Sequence, residues 1–523
     1  MMNHRSFLRF LIPLSICMGL LGVSCKKYIY QAPINSTYAK EFWTSQSSVE
    51  QAAGAMYGQL RNSLRSSASF FINGDLCAGT FVPSSTQWNY TSLTSTHNPP
   101  FFFSYVPYLE GDLQNWSRFY QLIAQANLIL QNVPQMPASE FTSPSIKNAY
   151  VSEALFMRAY TYFYMIRIWG DPVVVTKEYS NIDYGNIPPI ARTPEAIVLD
   201  SCIKDLKMAA SNLTYMGGDP TKSIRANKGS VYALLGHIYA WKHQYDSAHA
   251  YCQQVISNGG YTLEPMSSYT NIWAGQISNE SIFELPMTYS PNDPNFVSGG
   301  SWAEAQFGFF GTFLKGGKYT GTPAVNTNCW IAPTGGVLDQ IWPDSSIDAR
   351  FSSILTSNVP SNGDPIGYML LKYTNFKFEQ PGLDPGTGTL PYISNDLVLF
   401  RLADIILLDA EACASLGDLA GAVKDLQLTE GRAGINSYQN PTDQRGMLDE
   451  IIKERGRELI GEGTWYYDLI RTNSTLGWLY NVGYLNTDHR IDSLKGYYWP
   501  LDMSTLFPQD NLLLQNPYWA THK

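Results

Sequence analysis

The chain has 523 residues, of which 44% are hydrophobic and 15% charged, and its formal net charge is −9. This composition is that of a globular protein long enough to bury a large core. The acidic balance excludes an electrostatic role in binding nucleic acid. The cysteines form no Cys-x-x-Cys pair and no Cys/His cluster at zinc spacing, so the sequence predicts neither a metal site nor a cofactor. Cys252 and Cys413 lie on apolar faces of predicted helices and are expected to be buried.

The N-terminal segment has the pattern of a bacterial lipoprotein signal. Basic residues precede an apolar run at residues 7–23, and a serine and Cys25 follow it. A membrane-spanning helix needs about 20 apolar residues, whereas this run is shorter and contains Pro13. A plain secretory signal is the other alternative, since Gly22 stands where a branched apolar residue is usual. We predict that residues 1–24 are removed and that acyl chains on Cys25 anchor the mature chain.

Apolar side chains recur at helical spacing in several blocks of the first half of the chain. Residues 114–133 carry one apolar stripe and predict a helix. Residues 149–169 predict a long helix, which a Gly-Asp-Pro sequence ends at residues 170–172. Pro194, in a first turn, opens a further helix that runs to about residue 213.

Residues 228–256 fit the pattern of a tetratricopeptide helix pair. The small residues Gly236 and Ala248 occupy the places where the two helices of such a pair cross closely. A degenerate second pair is predicted at residues 402–414 and 419–428. Such pairs form a scaffold and carry no chemistry of their own, so they predict a mainly α-helical fold.

Two long stretches lack helical periodicity and are rich in aromatic, Gly, Pro, Ser and Asn residues. They cover about residues 66–110 and 285–390. Loops of this length are rare in compact domains unless they are functional. Short alternating runs at residues 282–285 and 368–378 predict small strands. We therefore predict a single domain over residues 25–523, formed by a helical body with two large irregular insertions.

The sequence contains no GxSxG, HExxH, GxGxxG or P-loop motif. Its most prominent carboxylate cluster comprises Glu454, Glu458, Glu462 and Asp468, and a paired-carboxylate glycosidase could use such a cluster. Glu454 and Glu458, however, are four residues apart on a helix predicted at about residues 444–460, and arginines alternate with them. This spacing favours ion pairs, so we interpret the cluster as structural and keep glycoside hydrolysis as the less favoured alternative.

Several blocks of this sequence together resemble the SusD/RagB family of outer-membrane lipoproteins from Bacteroidota. The blocks are YQLIAQANLIL at residues 120–130, ALFMRAYTYFYMIRIWGDP at 154–172, LFRLADIILLDAEA at 399–412, GRAGI at 431–435, ERGRELIGEGTWYYDLIR at 454–471 and YYWPLDMSTLFPQDNLLLQNPYW at 497–519. Two positions depart from the family pattern: Trp465 stands where an arginine is frequent, and no glycine separates Pro517 from Tyr518. The blocks extend through most of the chain and are specific in combination.

The resemblance implies a fold of tetratricopeptide-like helix pairs with an irregular, loop-rich ligand region. It implies a protein held by Cys25 on the outer face of the outer membrane and without enzymatic activity. Such a protein would lie as a lid on a SusC-like TonB-dependent transporter and pass glycans or oligosaccharides to it. The RagB branch of the family is associated with peptides, so a peptide ligand is the alternative.

A surface glycan site needs exposed aromatic side chains beside polar ones, because the C–H face of a sugar ring can lie on an aromatic plane. The two insertions supply both kinds of residue. The candidate ligand-binding residues are Asp75, Trp88, Asn89, Tyr90, Trp302, Phe309 and Trp330. Trp88 and Trp302 are favoured among them because small and polar residues surround both. Aromatic residues also pack in cores, and that alternative applies above all to Phe309 with Phe310.

Overall fold

The structure is a computed structural model. It describes residues 42–83, 93, 103–105, 110–176, 188–216, 219, 223–275, 278–287, 309–314, 330–333, 336–359, 367–377, 392–436, 438, 441–484 and 488–522. Most of these residues are helical, which confirms the predicted mainly α-helical fold.

The helices of seven or more residues are numbered here in chain order. They are α1 (Gln46–Arg65), α2 (Ser117–Asn132), α3 (Pro144–Trp169), α4 (Glu195–Ala210), α5 (Lys228–Trp241), α6 (Tyr245–Asn258), α7 (Leu402–Ser415), α8 (Leu419–Arg432), α9 (Gln444–Leu459), α10 (Trp465–Arg471) and α11 (Thr475–Asn481). The segment Met266–Trp273 is a 3-10 helix and is not numbered. Shorter helical segments lie at Ser66–Ala68, Ser69–Phe71, Ile72–Leu76, Glu110–Leu113, Val133–Gln135, Ala138–Glu140, Gly311–Phe313, Val337–Ile341, Ser345–Ile347, Ala349–Ile354, His489–Ile491, Phe507–Gln509 and Pro517–Thr521.

The long helices pack as a continuous stack. Each helix from α1 to α8 contacts the next one along the chain, and α9 contacts both α7 and α8. The contact between α6 and α7 forms although residues 259–401 separate these two helices in the chain. The two predicted tetratricopeptide-like pairs, α5/α6 and α7/α8, are therefore direct neighbours in one scaffold.

Capping residues explain where several of these helices begin and end. The Ser143 side chain accepts a hydrogen bond from the first turn of α3, and Pro144 occupies its first position, so α3 begins earlier than apolar periodicity predicted. Gly170, with φ at 73°, ends the same helix. At the start of α5, the Asn227 side chain accepts a hydrogen bond from the Ser230 backbone, and the Ser230 hydroxyl contacts the Asn227 backbone in return.

Small residues allow the close helix crossing of the first tetratricopeptide-like pair. A Cβ atom placed on Gly236 of α5 would lie 3.1 Å from the Cys252 sulfur of α6 and 3.6 Å from a methyl group of Leu408 on α7. Cys252 and Cys413 are both buried, as predicted. Three helices thus meet at Gly236, and the crossing leaves little room for a larger side chain there.

The strands among the described residues form one four-stranded sheet and two two-stranded ribbons. They are β1 (Val82–Pro83), β2 (Ser281–Pro286), β3 (Trp330–Pro333), β4 (Leu355–Val359), β5 (Gly367–Leu370), β6 (Phe376–Lys377), β7 (Tyr392–Ile393) and β8 (Asp396–Arg401). The sheet has the order β1-β3-β5-β4, while β2 pairs with β8 and β6 with β7, all antiparallel. The sequence predicted β2 and strand structure near β5 and β6, but it did not predict that one sheet joins both insertions.

The first predicted insertion begins with helical turns. Ser67 and Ala68, with φ at 50° and 53°, interrupt the helical path after α1. The chain then continues through the helical segments Ser69–Phe71 and Ile72–Leu76, whose residues are all buried. The start of this insertion is thereby part of the protein core.

Candidate functional site

Both predicted insertions meet in the four-stranded sheet. Val82 of β1 pairs with Ile331 of β3, and Pro83 pairs with Trp330, in antiparallel register. Pro83 shortly precedes the candidate residues at positions 88–90 in the chain, and Trp330 is itself a candidate. In the structure, Pro83 at the end of β1, in the first insertion, therefore lies beside the backbone of Trp330, a candidate residue of the second insertion.

A buried aromatic cluster also joins the two insertions. The ring of Phe71, from the first insertion, lies 4.6 Å from that of Phe309 and 4.8 Å from that of Phe313, measured between centroids. Phe310 stacks on Tyr373 at 4.8 Å. Phe309 is only 2% exposed, so it offers no surface to a sugar ring. Its predicted role in ligand binding is corrected accordingly, and Phe309 is a packing residue.

Asp75 is also corrected, because its side chain is fully buried. Its two carboxyl oxygens accept hydrogen bonds from the backbone N–H groups of Gly461, at 3.1 Å, and Gly463, at 2.8 Å. A Cβ on the adjacent Gly74 would lie 2.1 Å from the Gly463 backbone, so this approach requires glycine. Burial raises the pKa of Asp75 to about 7, although both N–H groups act against the shift. Asp75 thus joins the first insertion to the turn Gly461–Gly463 rather than facing a ligand in solvent.

Beside this turn lies a network of buried ion pairs centred on Arg401, at the junction of β8 and α7. The Arg401 guanidinium lies 2.7 Å from a carboxylate oxygen of Glu280, 2.6 Å from Glu458 and 2.8 Å from Glu462. Glu462 also accepts a hydrogen bond from Lys372, at 2.5 Å. Burial lowers the pKa of Lys372 to about 8, while Glu462 opposes that shift. The network therefore ties residues of the second insertion to the helical body.

Further arginines neutralise the glutamates of α9. Arg350 lies 2.6 Å from a Glu454 oxygen and 2.9 Å from a Glu458 oxygen, and Arg432 pairs with Glu458 as well. Burial acts to raise the pKa of Glu458, but Arg432, Arg401 and Arg350 together hold it well below its usual range. The structural interpretation of this carboxylate cluster is confirmed, because its members are buried in ion pairs. Asp468, the last of them, pairs with Arg455 and Arg471.

The remaining candidates lie beyond what the structure describes. Trp88, Asn89, Tyr90 and Trp302 fall outside the described residues, and so does Cys25. Trp330 contributes its backbone to β3, but its side chain is outside the description. Their roles in ligand binding and anchoring, and the division into a signal at residues 1–24 and a single domain, stay predictions.

The structure also brings together a group that spacing along the chain did not reveal. His249 of α6 lies beside Asp409 and Cys413 of α7, and the potential ligand atoms are all within 4.8 Å of one another. About 160 residues separate His249 from Asp409 in the chain, so the sequence contains no short motif that would reveal this group. The same holds for Glu280, which reaches the Arg401 network from a distant part of the chain.

The fold defines a helical-repeat scaffold that carries a surface built by two joined insertions, and comparisons with known proteins give the same class. The SusD family model matches residues 350–519, and a model described as starch-binding associating with outer membrane matches residues 41–240. SusD-like protein P38 of Formosa agariphila is 25% identical, over 96% of this chain and 97% of its own. The crystal structure of a SusD superfamily protein from Bacteroides thetaiotaomicron superposes with a TM-score of 0.70 at 23% identity, covering 91% of this chain and 99% of that one. A laminarin binding SusD-like protein superposes with a TM-score of 0.68 at 22% identity, with coverage of 91% and 99%.

The chain belongs to the SusD/RagB family. The two matched stretches together cover more than half of its residues, which confirms the family resemblance read from the sequence blocks. The description of the second model associates proteins of this kind with the outer membrane. Among the residues that the structure describes, no helix combines the length and the apolar character needed to cross a membrane.

Proposed function

We propose that this protein is a surface-exposed, glycan-binding lipoprotein that acts as the lid of a SusC-like TonB-dependent transporter and delivers oligosaccharides for import. The observation that carries the proposal is the pairing of β1 with β3, because it joins the two aromatic-rich insertions in one sheet. Family membership supports a role in nutrient uptake. A structural neighbour described as laminarin binding supports a glycan as the ligand.

The binding surface in this proposal consists of the candidates whose side chains lie outside the described residues. Trp88 and Trp302 would supply aromatic planes for sugar rings, and Asn89 would hydrogen-bond their hydroxyl groups. Tyr90 and Trp330 would complete the surface, since Tyr and Trp combine a large apolar ring with a polar tip. The buried aromatic cluster and the ion-pair network would hold the base of the insertions rigid, which reduces the entropy lost on binding.

The membrane attachment in this proposal rests on Cys25. A single acyl chain gives only weak and reversible membrane binding, so stable anchoring would require more than one chain on this residue. Residues 26–38 would connect this anchor to the rest of the chain. The anchored protein would face the cell exterior.

The ligand class and the site can be tested together with purified mature protein. Calorimetry and affinity electrophoresis with laminarin, starch and other polysaccharides should identify a bound glycan. Trp88→Ala and Trp302→Ala should each weaken that binding at least tenfold, because aromatic anchors dominate such contacts. Tyr480→Ala is the matched control, because Tyr480 is 66% exposed on α11 and lies outside both insertions.

Three results would contradict parts of this proposal. If both tryptophan variants bind glycan as wild type does, the site assignment is wrong. If only casein-derived peptides bind in the same assay, the peptide alternative replaces the glycan. Release of sugar products from a bound polysaccharide by the purified protein would show that the protein is an enzyme.

A further inference from the structure

Three side chains able to bind a metal ion converge between α6 and α7. His249 Nδ1 lies 2.9 Å from Asp409 Oδ1 and 3.6 Å from Cys413 Sγ. Asp409 and Cys413 are four residues apart on α7 and therefore share one face of that helix. The three side chains thus come from two helices that packing holds side by side.

The group lies in a cavity of about 260 Å³. Asp409 and Cys413 are buried, whereas 40% of the His249 side chain is exposed. The partly exposed imidazole leaves a path by which an ion can reach the buried ligands. Gln253 donates a hydrogen bond to Asp409 Oδ2 at 2.6 Å, which leaves Oδ1 directed toward His249. This arrangement resembles the outer hydrogen bonds that orient ligands in protein metal sites.

The charge balance of this cavity differs from that of the arginine network. Asp425 of α8 is a second buried carboxyl group that lines the cavity with Asp409, and Lys424 lines it as well. Among the described residues, the ion-pair partner of Asp409 is His249. A divalent cation would neutralise this cluster in the way that arginines neutralise Glu458.

We propose that His249, Asp409 and Cys413 bind one divalent ion of the zinc class, with the Asp425 carboxylate or a water molecule as the fourth ligand. Tetrahedral zinc with bonds of roughly 2.0–2.3 Å places its ligand atoms about 3.3–3.8 Å apart. Two of the three separations, 2.9 Å and 3.6 Å, lie within a few tenths of an ångström of that range, and the third, between Asp409 and Cys413, is within 4.8 Å. Imidazole and thiolate ligands select zinc over calcium and magnesium, which prefer oxygen. On binding, the sulfur–metal bond forms as the Cys413 thiol releases its proton to solvent.

The bound ion would clamp the two tetratricopeptide-like pairs together. His249 belongs to the pair α5/α6, whereas Asp409 and Cys413 belong to the pair α7/α8. Residues 259–401, which include the whole second insertion, lie between these pairs in the chain. A metal bridge at this junction would therefore stabilise the scaffold on both sides of the insertion, independently of which ligand the insertion binds.

The site is tested by zinc titration of the mature protein after removal of any affinity tag and of metal by a chelator. Competition with a chromophoric chelator should show one equivalent of zinc bound. Cys413→Ser and His249→Gln should each weaken zinc binding at least tenfold, because each removes one ligand. Cys202→Ser, at a buried thiol of α4, and His522→Gln, at an exposed imidazole near the C-terminus, are matched controls that should bind zinc as wild type does.

Cobalt substitution supplies an independent readout of the thiolate ligand. A sulfur-to-cobalt charge-transfer band should appear in the wild-type protein and disappear in Cys413→Ser. The proposal is overturned if no equivalent of zinc binds more tightly than about 1 µM, if both ligand variants bind as wild type does, or if the sulfur band is absent. If Cys413→Ser fails to fold by circular dichroism, His249→Gln decides the outcome, because its side chain is partly exposed.

Discussion

Replacement of Arg401 by methionine tests whether the buried charge network fastens the insertions to the scaffold. Arg401 is 1% exposed and lies between three carboxylates. Its guanidinium donates to Glu280, Glu458 and Glu462, and also to the Glu458 backbone oxygen at 2.8 Å. Arg401→Met keeps the length of the apolar stem but leaves these buried carboxylates with one cation fewer.

The expected loss in the free energy of unfolding is about 3–5 kcal/mol, the range measured when one partner of a buried ion pair is removed. Adding five charged hydrogen bonds at about 1.5–3 kcal/mol each would give a larger figure. That sum is too high, because the variant no longer pays the desolvation penalty of a buried guanidinium, and this saving offsets part of the lost hydrogen bonds. Arg401→Lys should lose less than Arg401→Met, since it keeps the charge but has fewer donors and no planar fork.

The deficit of Arg401→Met should also depend on pH. Burial acts to raise the pKa of Glu462, but Arg401 and Lys372 hold it below its usual value in the folded protein. A carboxyl group with a depressed folded pKa contributes stability above its unfolded pKa and loses that contribution as the pH falls through the folded value. Without Arg401 the folded pKa rises and this contribution becomes smaller, because only Lys372 still opposes the effect of burial. The gap between wild type and variant should therefore shrink as the pH falls below 4.5, the ordinary pKa of a glutamate.

Urea denaturation at pH 7 and pH 4, followed by tryptophan fluorescence, measures both quantities. The dependence on urea concentration should be the same for all variants, since the surface exposed on unfolding does not change. Arg445→Met is the matched control, because the Arg445 side chain is 61% exposed and pairs with Asp449 on the surface of α9. Such an exposed ion pair is worth less than about 1 kcal/mol. A deficit below about 1 kcal/mol for Arg401→Met, or a deficit that does not shrink at pH 4, would refute the fastening role of the network.

Two further predictions concern the scaffold and the anchor. Gly456→Ala should lose about 1–3 kcal/mol or more of the free energy of unfolding and melt at a lower temperature, because the added Cβ would lie 1.6 Å from the Trp465 ring. Gly477→Ala is the control and should be neutral or stabilising, because nothing lies within 4 Å of the added Cβ. Equal thermal shifts in the two variants would contradict the packing argument. Cys25→Ala should leave folding and glycan binding intact but release the protein from the membrane fraction, so retention of this variant in that fraction would count against the lipid anchor.

The helical scaffold could be predicted because its signals are local. Apolar spacing and flanking residues predicted a helix at about residues 444–460, and α9 spans Gln444–Leu459. The pair α5/α6 followed from Gly236 and Ala248, whose size matters within one short stretch of sequence. Glu454 and Glu458 were interpreted as ion-pair residues because arginines alternate with them. Each of these conclusions needed only residues close together in the chain, at most the 29 residues of the stretch 228–256.

The candidate site could not be predicted to the same depth, because its contacts link distant parts of the chain. β1 has two residues, too few to show alternation, and its partner β3 begins at Trp330. Asp75 lies among polar and aromatic residues and resembles a surface position in the sequence. Its burial becomes visible only when Gly461 and Gly463 are brought against it. Pairings of this kind leave no periodicity for a single sequence to reveal.

The turn Gly461–Gly463 explains why a carboxylate-rich segment serves structure in this protein. On one side, its N–H groups hold Asp75 of the first insertion. On the other side, Glu462 joins the network around Arg401, and the Tyr373 hydroxyl of the second insertion donates to the Gly461 oxygen at 2.7 Å. Both insertions and the scaffold therefore converge on three residues. Loops that begin at such a junction have fixed end positions. Ligand recognition can therefore depend on the loop sequence while the scaffold and the junction stay the same.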